Sequence, residues 1–231
     1  MIATIARLTL ARLRRGRAVW AALGIAMIPA MAAIVLRGQV HSESDRAEMI
    51  TTLYVPQVLV LAILPALFVA SSIGEEIEDR TITYLWSRPL PRWHVIAGKL
   101  VALAPVAVAI SLVGWLLAMK IGTDAVAPAR TVIGLGAAAL AISMVSAGIS
   151  TIAPKHGMAL TIIYMLLFDL PIGEIPASLQ ILSVTHQARM IAGISSHGIA
   201  PGGAAAPAIT MAVIAAIWLG IGLWRIRRLE A

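Results

Sequence analysis

The sequence predicts an all-α integral membrane protein that crosses the bilayer six times, with residues 1–231 forming a single transmembrane domain. Composition is the first observation behind this fold class: 60% of the residues are hydrophobic, 13% are charged, and the mean hydropathy is +0.91. A soluble domain is about 25% charged. The second observation is arrangement, because six long apolar runs alternate with stretches that hold almost all of the charge. An apolar run of about 20 residues can cross the hydrocarbon core as a helix.

The apolar runs set the bounds of the predicted spans. They cover residues 18–36, 55–73, 95–119, 131–153, 158–170 and 204–224. The fifth run is shorter than the ~20 residues that a crossing helix needs. We therefore expect the mildly polar stretch 171–203 to form an extracytoplasmic or re-entrant helical element that completes this span by packing on protein. Five of its residues share one helical face: Ile175, Leu179, Leu182, His186 and Met190.

The basic residues lie mostly on one side of the predicted membrane. With both termini placed in the cytoplasm, the inner segments hold 13 Lys and Arg residues and the outer segments hold 5. This asymmetry predicts a multi-pass protein of the cell membrane (a bacterial inner or plasma membrane) with both termini cytoplasmic. The basic residues flank apolar spans and form no patch with aromatic residues, so the net charge of +7 does not indicate nucleic-acid binding.

Residues 1–17 carry five arginines among apolar residues. This pattern predicts a cytoplasmic amphipathic helix that lies on the anionic inner leaflet. An orientation signal with no further role is the alternative interpretation.

Residues 74–99 form a charged segment between spans two and three. Eight charged side chains fall within it, and each would cost about 2.5–3.5 kcal/mol at the middle of a membrane helix. The segment is therefore predicted to be a loop, with Lys99 reaching back to the interface from the start of span three. Ser72-x-x-Glu75 has the pattern of a capping box, and Pro89 ends the helical spacing, so a short surface helix is expected between them.

The order of residue types in this segment can be compared with that of known protein families. An acidic pair is followed by Thr, a hydrophobic-aromatic run, Ser-Arg-Pro, Arg and Gly-Lys. In the same order, these motifs are Glu75-Glu76, Arg80-Thr81, Tyr84-Leu85, Ser87-Arg88-Pro89, Arg92 and Gly98-Lys99. The order resembles the first cytoplasmic loop of permease subunits in the type-2 class of ABC exporters, although Arg80 stands where that family often has Gly.

The resemblance implies a cytoplasmic coupling helix, within the loop 74–94, that seats in a groove of a separate ATPase subunit. The residues expected to take part in ATPase coupling are Glu75, Glu76, Glu78, Arg80, Thr81, Tyr84, Leu85, Arg88, Pro89, Arg92 and Lys99.

The function expected from these features is that of a membrane-spanning permease subunit of an ATP-driven ABC exporter. The chain has no G-x-x-x-x-G-K-[ST] phosphate loop. ATP and Mg²⁺ are therefore expected on the partner ATPase, and this chain is expected to be no enzyme and to hold no catalytic residue, cofactor or metal. Six spans are few for a transport path, so a second permease subunit, identical or paralogous, is expected beside it. Lipid, peptide, antibiotic and ion substrates all remain open.

Two other functions compete with this expectation. One is a membrane scaffold that uses the charged loop to recruit a cytoplasmic partner and transports nothing. The other is a secondary carrier driven by an ion gradient. The near absence of ionisable residues within the spans argues against the carrier, because proton relays need Asp, Glu or His at membrane depth.

Small residues predict where helices pack closely in the bilayer. Gly134 and Ala138 have the required spacing on span four, and Ala212, Ala216 and Gly220 have it on span six.

Overall fold

A computed structural model describes residues 2–39, 42–78, 93–175, 178–194 and 203–228. No β-strand occurs in these ranges, and they include six helical stretches that are long and apolar enough to cross a membrane. The predicted fold class of an all-α membrane protein with six spans is confirmed.

The N-terminal helix, Ile2–Arg15, precedes span one. Span one consists of two helices, Ala18–Ala26 and Ile28–Leu36, that meet at Met27. The break has a local cause, because Pro29 has no amide hydrogen and cannot donate to the carbonyl one turn earlier. The bounds of span one agree with the predicted span 18–36.

Span two is longer than the predicted span 55–73 at both ends. It runs through Glu43–Pro65, a π-helical turn Ala66–Ala70, and Ser71–Glu78. At its start, Ser42 Oγ accepts from the Asp45 amide (3.2 Å) and Asp45 Oδ2 accepts from the Ser42 amide (2.8 Å), which forms a capping box. Residues 43–54, which precede the predicted span, are therefore helical, because a cap starts the helix before the apolar run begins.

Spans three and four are Trp93–Thr123 and Ala129–Ile152, close to their predicted bounds. Span five continues through Gly157–Ile163, a π-helical turn Tyr164–Asp169, and Leu170–Glu174. The expectation of a short fifth span is wrong, since the apolar segment Pro154–Glu174 has 21 residues. Pro171 lies in the first turn of the last piece, where its missing amide is tolerated.

The described part of the stretch between spans five and six contains a 3₁₀ turn, Ser178–Leu182, and a helix, Val184–Ala192, called here the connecting helix. The helical element expected over 171–203 is confirmed; its depth in the bilayer stays a prediction. The proposed single helical face is wrong because the backbone is extended at Ile175 and again at Ser183. Gly193 ends the connecting helix in the left-handed conformation (φ 74°).

Span six is Ala205–Arg228, and span four lies at the centre of the bundle, in contact with spans three and six and with the connecting helix. Gly148 permits a close approach of spans four and six: a Cβ there would lie 2.5 Å from the Trp218 carbonyl oxygen. The predicted packing of Gly134 and Ala138 is confirmed, since both are buried.

The predicted packing stripe on span six does not face the core of the described chain, and its packing against another subunit stays a prediction. Ala212, Ala216 and Gly220 are exposed, whereas Ile214 and Ala215 face the core. A shift of one residue turns a helix by about 100°, which is enough to move a stripe from one face to another.

The alternation of the spans gives the bundle two ends. The N-terminal end holds the N-terminal helix, the ends of spans two, four and six, and the starts of spans three and five. The opposite end holds the connecting helix.

Candidate functional site

The candidate site lies at the N-terminal end of the bundle, where span two ends just before residues 79–92. Span two continues without a break to Glu78, so the predicted capping box at Ser72 is wrong. Glu75 and Glu76 consequently lie in the last turn of a helix rather than in its first. Negative charge is unfavourable there because the helix dipole has its negative pole at the C-terminus. Both carboxylates need a cationic partner, and each has one.

Glu76 is paired with Lys99 of span three. Lys99 Nζ lies 2.9 Å from Glu76 Oε1 and also donates to the carbonyl oxygen of Ser72. The Lys99 side chain is 2% exposed and that of Glu76 is 26% exposed. Both partners of Lys99 are groups of span two, and its expected reach to the interface stays a prediction. Removing one partner of a buried ion pair costs about 3–5 kcal/mol, so this pair ties span two firmly to span three.

Glu75 is paired with the N-terminal helix. Its Oε2 accepts from Arg12 Nη2 at 3.1 Å, and both side chains are more than half exposed. An exposed ion pair contributes about 0–1 kcal/mol, so this contact is weak and easily exchanged. Glu76 thus holds span three firmly, and the adjacent Glu75 holds the N-terminal helix reversibly.

A third element reaches the same point through Gly74. A Cβ at this position would lie 2.5 Å from the carbonyl oxygen of Pro154, in the turn that joins spans four and five. Only glycine permits this approach of the two backbones. The last two turns of span two therefore contact span three, the N-terminal helix and the turn Pro154–His156.

The structure brings together three of the residues predicted for ATPase coupling: Glu75, Glu76 and Lys99. Glu78 is the last described residue of span two. The predicted coupling helix over 75–88 falls mostly outside the described residues, as do Arg80, Thr81, Tyr84, Leu85, Arg88, Pro89 and Arg92.

Sequence reasoning missed Arg12 and Gly74 as members of this site. Arg12 pairs with a residue 63 positions away, and no local pattern reports a pair of that kind. Gly74 had a usable signal, because a glycine inside the last turns of a helix costs stability and indicates a close approach.

A second polar cluster lies at the opposite end, around Asp169 of span five. Asp169 is buried, and its carboxylate accepts from the amides of Val184 (2.7 Å) and Thr185 (3.0 Å) at the start of the connecting helix. It also accepts from the hydroxyls of Thr185 (2.6 Å) and Ser183 (3.3 Å). Asp169 thus adds to the N-cap residue Ser183, whose hydroxyl accepts from the His186 amide (3.0 Å), and it fixes the start of the connecting helix to span five.

Two further contacts accompany the Asp169 cap. Glu174, at the end of span five, forms an ion pair with Arg189 of the connecting helix. Burial lowers the pKa of the neighbouring His186 from its ordinary value, while a hydrogen bond to the Gly173 backbone opposes the shift. Burial therefore favours the neutral form of His186.

The middle of the bundle is cross-linked by neutral polar groups. Gln57 of span two donates to Ser111 Oγ (2.8 Å) and to its carbonyl oxygen (3.1 Å). Trp115 Nε1 donates to Thr131 Oγ1 at 3.1 Å, and the Tyr54 ring meets the Trp115 ring edge-on. In the described part of the chain, Lys99 and Asp169 are the only buried side chains of the Lys, Arg, Asp, Glu and His types. These two side chains lie near opposite ends of the bundle.

These observations define a multi-pass membrane protein whose apolar spans carry their ionised groups at the two ends. The family described as ABC-2 family transporter protein matches residues 10–180, which run from the N-terminal helix through span five into the turn Ser178–Leu182. The chain belongs to this family and is an ABC-2 type permease. A comparison with curated proteins found no match.

Proposed function

We propose that this permease is the membrane-spanning subunit of an ATP-driven exporter and that a separate ATPase moves it through the segment 74–99. The observation that carries the proposal is the convergence at the end of span two, where Glu76, Glu75 and Gly74 contact three different elements. A force applied to residues 79–92 would act on a helix end that is held by these contacts, and spans two and three would therefore move together.

The proposal includes the partners that such a mechanism needs. ATP and Mg²⁺ bind the ATPase, and this chain performs no catalysis. Both termini and residues 79–92 face the cytoplasm, where ATP is, and the excess of basic residues at the N-terminal end supports this orientation. Two permease subunits, identical or paralogous, stand side by side and each receives one ATPase.

Replacement of residues 79–92 by a neutral Gly-Ser linker of equal length tests the ATPase assignment. The tagged permease is purified from its native membranes in mild detergent, and co-purifying proteins are identified by mass spectrometry. The wild-type chain should bring an ATP-binding-cassette subunit with it, and the linker variant should lose that subunit. A matched control replaces residues 195–202, which follow the connecting helix in the chain, and should keep the ATPase subunit.

Single substitutions sharpen this test within the predicted coupling helix. Arg88→Ala and Glu76→Gln should weaken ATPase association or separate ATP hydrolysis from transport. Unchanged association and transport in both variants would contradict the assignment of this segment. Purification of a stable permease with no ATPase would favour the scaffold or the secondary carrier instead.

A further inference from the structure

The N-terminal helix has one face that packs on protein. Ala6 is buried, and a Cβ at Gly98 of span three would lie 2.9 Å from the side chain of Ile5. Span one begins at Ala18, three residues after the helix ends at Arg15. The helix is thus held beside the bundle at the level where the chain enters the membrane.

Arg7 and Arg14 lie on one flank of this helix, and neither forms an ion pair with another of the described residues. Both arginines are exposed, and they lie seven residues apart, which places them about two turns apart on one face. Leu10 lies between them and is also exposed. Arg12 lies on the other flank, where it pairs with Glu75.

The sequence offers this flank no local counter-charge. The first acidic residue of the chain is Glu43, beyond span one, and residues 1–17 contain five arginines and no lysine. Arginine binds phosphate oxygens with two parallel N–H donors, whereas lysine acts as a point charge. Trp20, at the start of span one, is exposed and belongs to a residue type that is enriched at the membrane interface.

We propose that Arg7, Leu10 and Arg14 form a contact surface for anionic lipids of the bilayer. The two guanidinium groups bind lipid phosphates, and Leu10 lies in the apolar boundary beneath the headgroups. Charge complementarity identifies the partner, because a basic flank with an apolar residue at its centre fits an anionic membrane surface better than a neutral one.

The lipid contact has a consequence for the candidate site, and this step rests on the proposed function. Lipids that hold Arg7 and Arg14 also fix the helix that carries Arg12, and Arg12 holds Glu75 next to residues 79–92. The anionic lipid content of the membrane would then change how strongly the N-terminal helix holds the end of span two.

Lipid selectivity can be measured on the permease alone, without an ATPase. The chain has no cysteine, so Ala11→Cys gives a single labelling site one turn from both arginines. A fluorophore at this site is quenched by brominated phosphatidylglycerol or by brominated phosphatidylcholine in vesicles of the two lipids. The ratio of the two binding constants should favour phosphatidylglycerol by about fivefold for each arginine and should fall as salt is raised.

Matched variants identify the groups responsible. The double variant Arg7→Gln with Arg14→Gln should bring the ratio of the two binding constants close to one. The double variant Arg7→Lys with Arg14→Lys should retain most of the selectivity for phosphatidylglycerol. Arg37→Gln with Arg130→Gln removes the same charge at the opposite end and should leave the ratio unchanged.

Equal quenching by both lipids in the wild-type chain, or an unchanged ratio in the Arg→Gln pair, would overturn the proposal. If that pair instead reduced only the co-purification of the ATPase, the flank would be a protein contact and the lipid assignment would be wrong. A failure of the proposed ATPase coupling would not affect the lipid ratio, so the two hypotheses can fail separately.

Discussion

Lys99 is a charged side chain in a buried environment, which an ammonium group ordinarily avoids. Its ammonium group is buried near the start of a membrane span and is satisfied by Glu76 and by a backbone carbonyl of the same helix end. A lysine in this position is costly unless both contacts are made, so it specifies one arrangement of spans two and three.

Lys99→Met should therefore destabilise the protein by about 3 kcal/mol, because Glu76 loses its partner inside the bundle. Thermal unfolding in detergent measures this effect. Lys99→Met combined with Glu76→Leu should recover most of the loss, since it removes both charges. Lys120→Met breaks only an exposed pair with Asp124 and should change stability little. A Lys99→Met protein as stable as the wild type would show that the pair does not hold the helices.

Arg12→Gln should behave differently, because the Arg12–Glu75 pair is exposed. We expect a change in unfolding free energy below about 1 kcal/mol, together with a measurable loss of ATP-driven response if the brace serves coupling. A large loss of stability would contradict the assignment of this contact as a reversible one.

Among the structural elements, the connecting helix depends most on a single residue from elsewhere. Asp169 caps its N-terminus, and Glu174 holds it further along through Arg189. The helix has nine residues, and isolated helices shorter than about 12 residues are marginal in water. The connecting helix and the end of span five should therefore move as one unit.

Asp169→Ala leaves the amides of Val184 and Thr185 without this acceptor and should raise amide hydrogen exchange across Val184–Ala192, because losing a capping interaction at a helix N-terminus costs about 0.5–2 kcal/mol. Asp45→Ala is the matched control, since it removes the capping box of span two. Each substitution should raise exchange in its own helix and leave the other unchanged. Unaltered exchange at 184–192 in Asp169→Ala would show that packing alone holds the connecting helix.

The connecting helix should also respond to pH through His186. Burial lowers the pKa of His186 in the folded protein below its unfolded value of about 6.5. The unfolded chain therefore binds the proton more readily, so the stabilisation is complete above about pH 6.5 and is lost as the pH falls through the folded pKa. The protection factors of 184–192, which correct for the base catalysis of exchange, should fall on acidification, and His186→Gln should reduce that dependence. Protection factors that do not change with pH in the wild type would contradict this.

Across the whole molecule, the sequence predicts what depends on apolar runs. Four of the six spans lie close to their predicted bounds because the cost of burying charge fixes where helices can cross. Spans two and five were misjudged because Ser42 and Asp45 start a helix in a polar stretch and because span five continues past Pro171.

The site itself could be predicted only in part. Glu76 and Lys99 were recognisable from the charged segment and its resemblance to a known loop. Their pairing, the Arg12–Glu75 contact and the Asp169 cap join residues far apart in the chain, and helical periodicity carries no information about such pairs. The exposed stripe on span six shows the same limit, since periodicity finds a stripe but not the partner that it faces.

The most direct test of the account asks whether the brace at the end of span two transmits the motion of the ATPase. Leu182→Cys places a single label at the opposite end, where this side chain is exposed. Its rate of reaction with a membrane-impermeant maleimide is measured in the reconstituted permease–ATPase complex, with and without ATP. The account predicts that ATP changes this rate in the wild-type background and that Lys99→Met with Glu76→Leu abolishes the change while ATPase binding and hydrolysis persist. An ATP-dependent change that survives in the double variant would contradict it.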